Sequence, residues 1–202
     1  MFDALLIGVL AGYAIAIPVG PIAVLILRTG MRDGPRPAMA AGAGTATADV
    51  VYATLAMLAG PALVAVIAPV LVPARLIAAA LLLTLAFRQL RGIDITGTAR
   101  AQAGAKRTYA TVLALTLLNP ATVIYFASLA VGLPTLSSET GARVLFVGGA
   151  GLASLSWQWL LAGAGSALHG RVPTRLGLVT SVTSSAIIAV LALKIAADAV
   201  AT

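Results

Sequence analysis

The feature of this sequence that most restricts its fold is a set of long apolar runs that contain no charged residue. Four such runs cover residues 4–27, 108–135, 144–168 and 176–193. A helix needs about 20 residues to cross the hydrocarbon core of a bilayer, so each run can span a membrane. The run at residues 38–60 holds one charge, Asp49, and the run at 76–87 reaches spanning length with Arg88 and Arg91 extending to the interface. The sequence therefore predicts six transmembrane helices.

The composition excludes a soluble globular domain, in which about 25% of the residues are charged. Here only 9% are charged, 60% are hydrophobic, and the mean hydropathy is +1.05. The start MFDALLIGVL has an acid where a secretory signal has basic residues, so the first helix is expected to stay in the membrane. With no cysteine and one histidine, thiolate sites and histidine clusters are excluded, and no metal site or cofactor is predicted.

The basic residues lie in the connections between the apolar runs, where they report orientation and not nucleic-acid binding. The odd-numbered connections are rich in them, with Arg28, Arg32 and Arg36 in the first, Arg88, Arg91, Arg100, Lys106 and Arg107 in the third, and Arg171 and Arg175 in the fifth. The even-numbered connections hold only Arg75, Glu139 and Arg143. Because cytoplasmic connections carry the excess of Lys and Arg, both termini are predicted to be periplasmic or extracellular.

The order of the runs predicts a single all-α transmembrane domain, residues 1–202, made of two inverted three-helix repeats. The first repeat covers about residues 1–91, a cytoplasmic linker about 92–107, and the second repeat about 108–202. An odd number of crossings in each half inverts the second half, an arrangement that many secondary transporters use. Asn119 and Pro120, in LLNPATVIYF, stand in the second half where Gly20 and Pro21 stand in the first.

Pro18, Gly20 and Pro21 interrupt the first apolar run. An interior proline removes a backbone hydrogen bond, whereas proline is favoured at the first position of a helix and Gly or Asn at the preceding cap. Helices one and four are therefore predicted to be broken, each with a positive half-helix end at mid-depth that attracts an anion. The carbonyls of Ala14, Ile17 and Thr116 are expected to be free acceptors. The alternative is that these prolines only kink the helices for packing.

Asp49 lies roughly eleven residues into its run, about 16 Å along a helix and near the bilayer centre. A carboxyl at that depth is a candidate for binding a proton or substrate. The alternative is a protonated Asp49 that is hydrogen-bonded to Thr45, Thr47 or a neighbouring helix. The surrounding small residues, including the pair Gly44 and Ala48, favour close helix packing.

Several weaker signals accompany these. Trp157 and Trp159 could line a pathway with Gln158, although aromatic residues at such depth are more often helix contacts. Tyr125 is close enough to Pro120 to be a site candidate, and His169 is interpreted as a solvated interfacial residue. The segments GGAG (148–151) and GAGS (163–166) indicate close packing. A serine hydrolase built from Ser154 or Ser166 with His169 is disfavoured, because GxSxG is absent and Ser166 and His169 share one helix.

The Gly-Pro break, the basic segment RTGMRDGPRPA, the Asp in a small-residue helix, FRQLRG and LTLLNPATVIYF together resemble the LysE/RhtB family of amino-acid exporters. The resemblance implies a bacterial inner-membrane exporter of amino acids or related small solutes, driven by the proton gradient and forming a homodimer. It assigns the family motifs to Pro18, Gly20, Pro21, Gly44, Asp49, Asn119 and Pro120. Val19, Ala48 and Ala121 depart from the usual proline, glycine and lysine. The family also includes divalent-cation exporters, which are the alternative.

The resulting hypothesis is a proton-coupled antiporter that works by alternating access. The substrate carboxylate would meet the half-helix ends at Pro21 and Pro120, and its amine would meet Asp49. The substrate and proton site is thus predicted to comprise Pro18, Gly20, Pro21, Gly44, Asp49, Asn119, Pro120 and Tyr125. The apolar runs hold no second acid, which favours neutral amino acids. A channel-like protein without coupling is the remaining alternative, and it would leave Asp49 without a titration role.

Overall fold

The structure is a computed structural model that describes residues 2–18, 20–59, 104–119 and 139–169 continuously. It also describes shorter stretches, at residues 72–73, 76–77, 79–84, 86–87, 122, 125–126, 128–129, 182–183, 185–190, 192–194 and 196–197. All regular secondary structure within these residues is helical. Five helices have defined bounds: α1 (Phe2–Ala16), α2 (Pro21–Asp33), α3 (Pro35–Ala59), α4 (Ala105–Leu117) and α5 (Thr140–Ala167). The predicted all-helical fold class is confirmed in this part of the chain.

The first apolar run is two helices, with the break where the prolines predicted it. The N–H of Ile17 still bonds the carbonyl of Tyr13 at 2.9 Å, and Pro18 has no N–H to continue the ladder. Gly20 is extended (φ −113°, ψ −175°) and caps α2, whose first residue is Pro21. The chain bends by 78° between α1 and α2.

The first basic connection is mostly helical in the structure, although the sequence predicted a loop there. Helix α2 continues through Arg28 to Asp33, and α3 begins at Pro35, so the connection is Gly34 alone. Gly34 adopts a φ of +85° and its N–H bonds the carbonyl of Gly30 at 3.2 Å. The loop prediction was wrong because no residue between 28 and 33 stops a helix, and burial against α5 favours continuing it.

The predicted linker also ends earlier than expected. Helix α4 begins at Ala105, so Lys106 and Arg107 lie in its first turn and not in a connection. Helix boundaries are the least certain part of a prediction from sequence. Residues 92–103 of the linker lie outside the described residues.

Helix α5 is the central element of the described bundle, and its neighbours run in two directions. Along α1, Gly8 lies against Phe146 and Gly12 against Ala150, so α1 runs parallel to α5. Helix α2, bent by 78° from α1, crosses α5 where Leu27 meets Gly165. Along α3, Gly42 lies against Gln158 and Val50 against Gly151, so α3 is antiparallel to α5. Helix α4 is parallel to α3, because Thr47 contacts Tyr109 and Tyr52 contacts Leu117. These directions agree with alternate crossings for the first, second, fourth and fifth predicted spans.

Glycines allow the helix backbones to approach closely. A Cβ at Gly8 or Gly12 would overlap the backbone of α5, and one at Gly149 would lie 2.6 Å from the carbonyl oxygen of Leu5. A Cβ at Gly165 would overlap Leu27 of α2. The close packing predicted for the two glycine segments is confirmed at positions 149, 151 and 165, as expected for helices that associate through small residues.

Among the described residues, α5 has the length and hydropathy of a membrane span, and α1 with α2 passes the same test as one bent span. Helix α3 is long enough, at about 37 Å for a rise of 1.5 Å per residue, but Asp49 and its glycines and threonines lower its hydropathy. Exposed apolar side chains on α5, such as Val144, Leu152 and Leu160, give it a lipid-compatible face. The six spans and the inverted repeat stay predictions, because much of residues 61–103, 120–138 and 170–202 lies outside the described part.

Candidate functional site

Asp49 is buried at the interface between α3 and α5, with only 2% of its surface exposed. The small residues around it let α3 approach α5 closely, so neither water nor lipid covers the carboxyl. The hydroxyl of Ser154 donates a hydrogen bond of 2.6 Å to Oδ2 of Asp49. A buried carboxyl is tolerated when such a donor satisfies it. Tertiary packing of α3 on α5 therefore buries Asp49.

Two polar residues of α5 share the interface with Asp49. Ser154 is fully buried, and Gln158, one helical turn further along α5, is 4% exposed. The Oε1 atom of Gln158 has no hydrogen-bond partner among the described residues. We call Asp49, Ser154 and Gln158 the polar cluster. It combines a carboxyl, a hydroxyl donor and an unused amide acceptor.

An apolar layer closes each end of the polar cluster. The Phe146 layer lies on the Ala150 side and comprises Ala11, Ala53, Ala56, Met57, Phe126, Phe146 and Ala150. The Ile26 layer lies on the other side and comprises Ile26, Ala38, Ala41, Val112 and Ala162. On both α3 and α5 the polar cluster is between the two layers in sequence. The arrangement isolates the carboxyl from both ends of the bundle.

The predicted residues of the helix-one break lie between α1 and the first turn of α2. Pro18 is exposed, and Gly20 and Pro21 are half-buried at the start of α2. A Cβ built on Gly20 would meet no atom of a described residue within 4 Å, so the cap is open on the side of the described part of the chain. Within the described part of the chain, no hydrogen bond joins these three residues to Asp49.

Gly44 and Tyr125 contact other helices. A Cβ at Gly44 would lie 2.7 Å from the carbonyl oxygen of Tyr109, so this glycine allows α3 to pack on α4. The hydroxyl of Tyr125 donates to the carbonyl of Ala11 at 2.8 Å, and its ring meets that of Phe126 edge-on at 5.4 Å. Tyr125 thereby supports the Phe146 layer.

The end of α4 carries the remaining predicted residues. Nδ2 of Asn119 donates to the hydroxyl of Thr122 at 3.1 Å, and Pro120 lies outside the described residues. The carbonyl of Thr116, expected to be free, accepts the N–H of Asn119 at 3.0 Å, so that expectation was wrong. The last turn satisfies it by a tighter backbone bond. Tyr52 donates to the carbonyl of Leu117 at 2.5 Å and links α3 to this end.

Sequence reasoning missed Ser154 as the partner of Asp49. The available signal was weak: Ser154 and Gln158 are polar residues four positions apart in an otherwise apolar helix, and so share one face. It also missed Arg28, which is 8% exposed on α2 and whose Nε has no partner in the described part of the chain. The structure does not pair Ser166 with His169, as the disfavoured serine hydrolase would need. The hydroxyl of Ser166 bonds the carbonyl of Ala162, and the ring of His169 bonds the carbonyl of Met31.

The described part of the chain is a helical bundle with a broken first helix, exposed apolar side chains and a carboxyl enclosed between apolar layers. These features are typical of helical membrane transport proteins. The sequence model of one family, described as "LysE type translocator", matches residues 13–199. The chain belongs to the LysE-type translocator family and is a membrane-embedded exporter, as the motifs in its sequence predicted. A search of curated proteins found no match, and neither did a search of solved structures.

Proposed function

We propose that this protein exports amino acids or related small zwitterionic solutes in exchange for protons, by alternating access across a bacterial inner membrane. The observation that carries the proposal is Asp49, a carboxyl enclosed in the bundle and hydrogen-bonded to Ser154. An ionisable group inside a membrane bundle is characteristic of ion and proton pathways.

Asp49 couples the export of substrate to the entry of protons. A proton and the ammonium group of a substrate compete for one carboxylate, so Asp49 binds one or the other. Moving the unpaired charge through the apolar layers is costly, whereas the protonated or ammonium-paired carboxyl is neutral. The carrier then reorients only when loaded, and export of the amine is tied to entry of the proton.

The break before α2 supplies the place for a substrate carboxylate. Pro21 has no N–H, and the first intrahelical bond runs from Val24 to Gly20 at 3.2 Å, so the N–H groups of Ile22 and Ala23 have no acceptor within the helix. These groups and the helix dipole favour an anion. The side of Gly20 that faces the described part of the chain is open and leaves room for one.

The helix directions support the inverted repeat that alternating access uses. In two inverted repeats, α4 corresponds to the α1–α2 pair and α5 corresponds to α3. The parallel contact of α1 with α5 then has its counterpart in the parallel contact of α4 with α3, and the antiparallel α3–α5 contact corresponds to itself. The polar cluster would lie close to the pseudo-twofold axis, which is where such transporters bind substrate.

Transport in liposomes tests the function directly. Purified protein is reconstituted, a pH gradient is imposed, and uptake of a panel of labelled neutral, basic and acidic amino acids and of divalent cations is measured. We expect gradient-driven movement of neutral amino acids, lost in Asp49→Asn and kept in the control Asp3→Asn, which makes the same chemical change at an exposed position. Movement of cations alone favours the divalent-cation alternative. Tight vesicles with folded protein that move no amino acid contradict the proposal.

The membrane orientation has its own test. The chain has no cysteine, so single cysteines can be introduced at exposed positions without a background. We propose that both termini are periplasmic, since the Gly34 turn is flanked by Arg32 and Arg36. An impermeant maleimide added to intact cells should label Asp3→Cys but not Arg36→Cys, and the reverse pattern contradicts the orientation. The homodimer stays a prediction.

A further inference from the structure

Gln158 has the burial and the free acceptor of a substrate contact. Only 4% of its surface is exposed, and its Oε1 has no hydrogen-bond partner in the part of the chain that the structure describes. A buried amide oxygen without a hydrogen bond costs free energy, so a residue kept in that state calls for a ligand or a water. Thr45, a buried polar residue of α3, uses its hydroxyl on the carbonyl of Ala41.

The antiparallel arrangement directs Gln158 and Asp49 toward one another. Side chains on a helix lean toward its N-terminus. We therefore expect Gln158 to lean toward the level of Ser154, whose hydroxyl bonds Asp49. A Cβ added at Gly42 would be 3.0 Å from that of Gln158, so Gln158 lies on the face of α5 that meets α3.

Ser154 already occupies one oxygen of Asp49. The hydroxyl bonds Oδ2, so the acceptors left on the two side chains are Oδ1 of Asp49 and Oε1 of Gln158. A group with several N–H donors on one positive atom satisfies both at once. A primary ammonium has three such donors, whereas a quaternary ammonium has none.

We infer that Gln158 is a specificity-determining residue whose amide oxygen, with Asp49, selects substrates that carry a primary ammonium group. The inference rests on the proposed export of amino acids and deepens it. Each N-methyl group removes one donor, and the trimethylated solute must leave Oε1 unpaired. Discrimination therefore falls on the nitrogen of the substrate and not on its side chain.

The test uses an N-methylation series of one transported amino acid in reconstituted liposomes. Wild-type protein should prefer the primary amine and reject the trimethylated form. Gln158→Met, of similar length but with only a weak thioether acceptor, should raise KM for the primary amine by about tenfold to a hundredfold, the weakening expected when a hydrogen bond to a charged group is lost. It should also flatten the preference along the series.

Two further variants separate recognition from packing. Gln158→Glu keeps an acceptor in the same shape and should retain the preference for the primary amine, and Leu160→Met, an exposed change on the same helix, should behave as wild type. An unchanged KM and methylation profile in folded Gln158→Met overturns the inference, as does equal loss in the Met and Glu variants. Failure of wild-type protein to move any amino acid instead overturns the proposed function.

Discussion

The Phe146 layer and the Ile26 layer close the two ends of the polar cluster with side chains of different size. The first contains Phe126, Phe146 and Met57, all almost fully buried, with Tyr52 and Tyr125 packed at its edge. The second has Ile26 and Val112 as its largest side chains, and its other three core residues are alanines. Glycine contacts bring helix backbones together beside both layers, so the layers differ mainly in the size of the side chains that fill them.

This difference predicts opposite sensitivities. Large side chains leave a cavity when they are truncated, whereas close-packed helices have no room for added atoms. The Phe146 layer is therefore expected to lose most on truncation of a large side chain, and the alanine-rich Ile26 layer on enlargement of a small one. The following variants test that distinction.

Truncation of the Phe146 layer should have the largest effect. Phe146→Ala removes a fully buried ring, so we expect the free energy of unfolding to fall by about 3–5 kcal/mol, measured by denaturant titration in detergent. The control Phe2→Ala makes the same change at a residue that is 77% exposed, and should be nearly neutral. Equal losses in the two variants would show that the layer is not closed by this ring.

Enlargement of the Ile26 layer should come second. Ala162→Leu adds atoms to a fully buried position, and we expect a loss of about 1–3 kcal/mol with the same measurement. Ala164→Leu, two residues further along α5 and exposed, is the matched control. A neutral Ala162→Leu would mean that this layer has spare volume, and the contrast between the layers would fail.

The hydrogen bond from Ser154 to Asp49, between the two layers, should contribute less to the free energy of unfolding. Ser154→Ala removes the donor to Asp49, and a loss of about 1–2 kcal/mol is expected because the carboxyl stays buried. In Ser166→Ala the lost partner is the carbonyl of Ala162, one turn back in the same helix, and little change is expected. Similar stability of the two variants would indicate that another group satisfies Asp49.

The smallest effect is expected at the edge of the Phe146 layer. Tyr125→Phe keeps the ring and loses the hydroxyl bond to the carbonyl of Ala11, at a cost of about 1 kcal/mol. Tyr13→Phe loses a bond to Ser156, whose hydroxyl also bonds the carbonyl of Ala153, so a smaller loss is expected. A larger loss from Tyr13→Phe than from Tyr125→Phe would contradict this expectation.

Much of the fold followed from local rules. The break at Gly20 and Pro21 was predictable because proline lacks an N–H at any position in any structure. The long run containing Asp49 was predictable from hydropathy, and the family from short motifs. The first basic connection was not, since charge alone does not end a helix and Arg28 continues α2 into the bundle.

The candidate site, like the fold, could be predicted from the sequence only in part. The location of Asp49 well inside a long helix could be inferred from the sequence, because the position of a residue in its helix sets how far it lies from either end. Its partner could not, because Ser154 is 105 residues away and only the antiparallel packing of α3 on α5 brings the two together. Gly44 illustrates the converse: its motif predicted a site residue, and the structure places it at a contact with α4.

The sequence by itself determined that the described part of the chain is helical, where its first helix breaks, and that a carboxyl lies in the middle of a long apolar run, because these depend on residues close in the chain. Only the tertiary structure decided which donor meets that carboxyl, which acceptor is left unpaired at Gln158, and how the cluster is closed at its two ends. Those properties depend on the direction and closeness of helix pairs, which no single helix encodes.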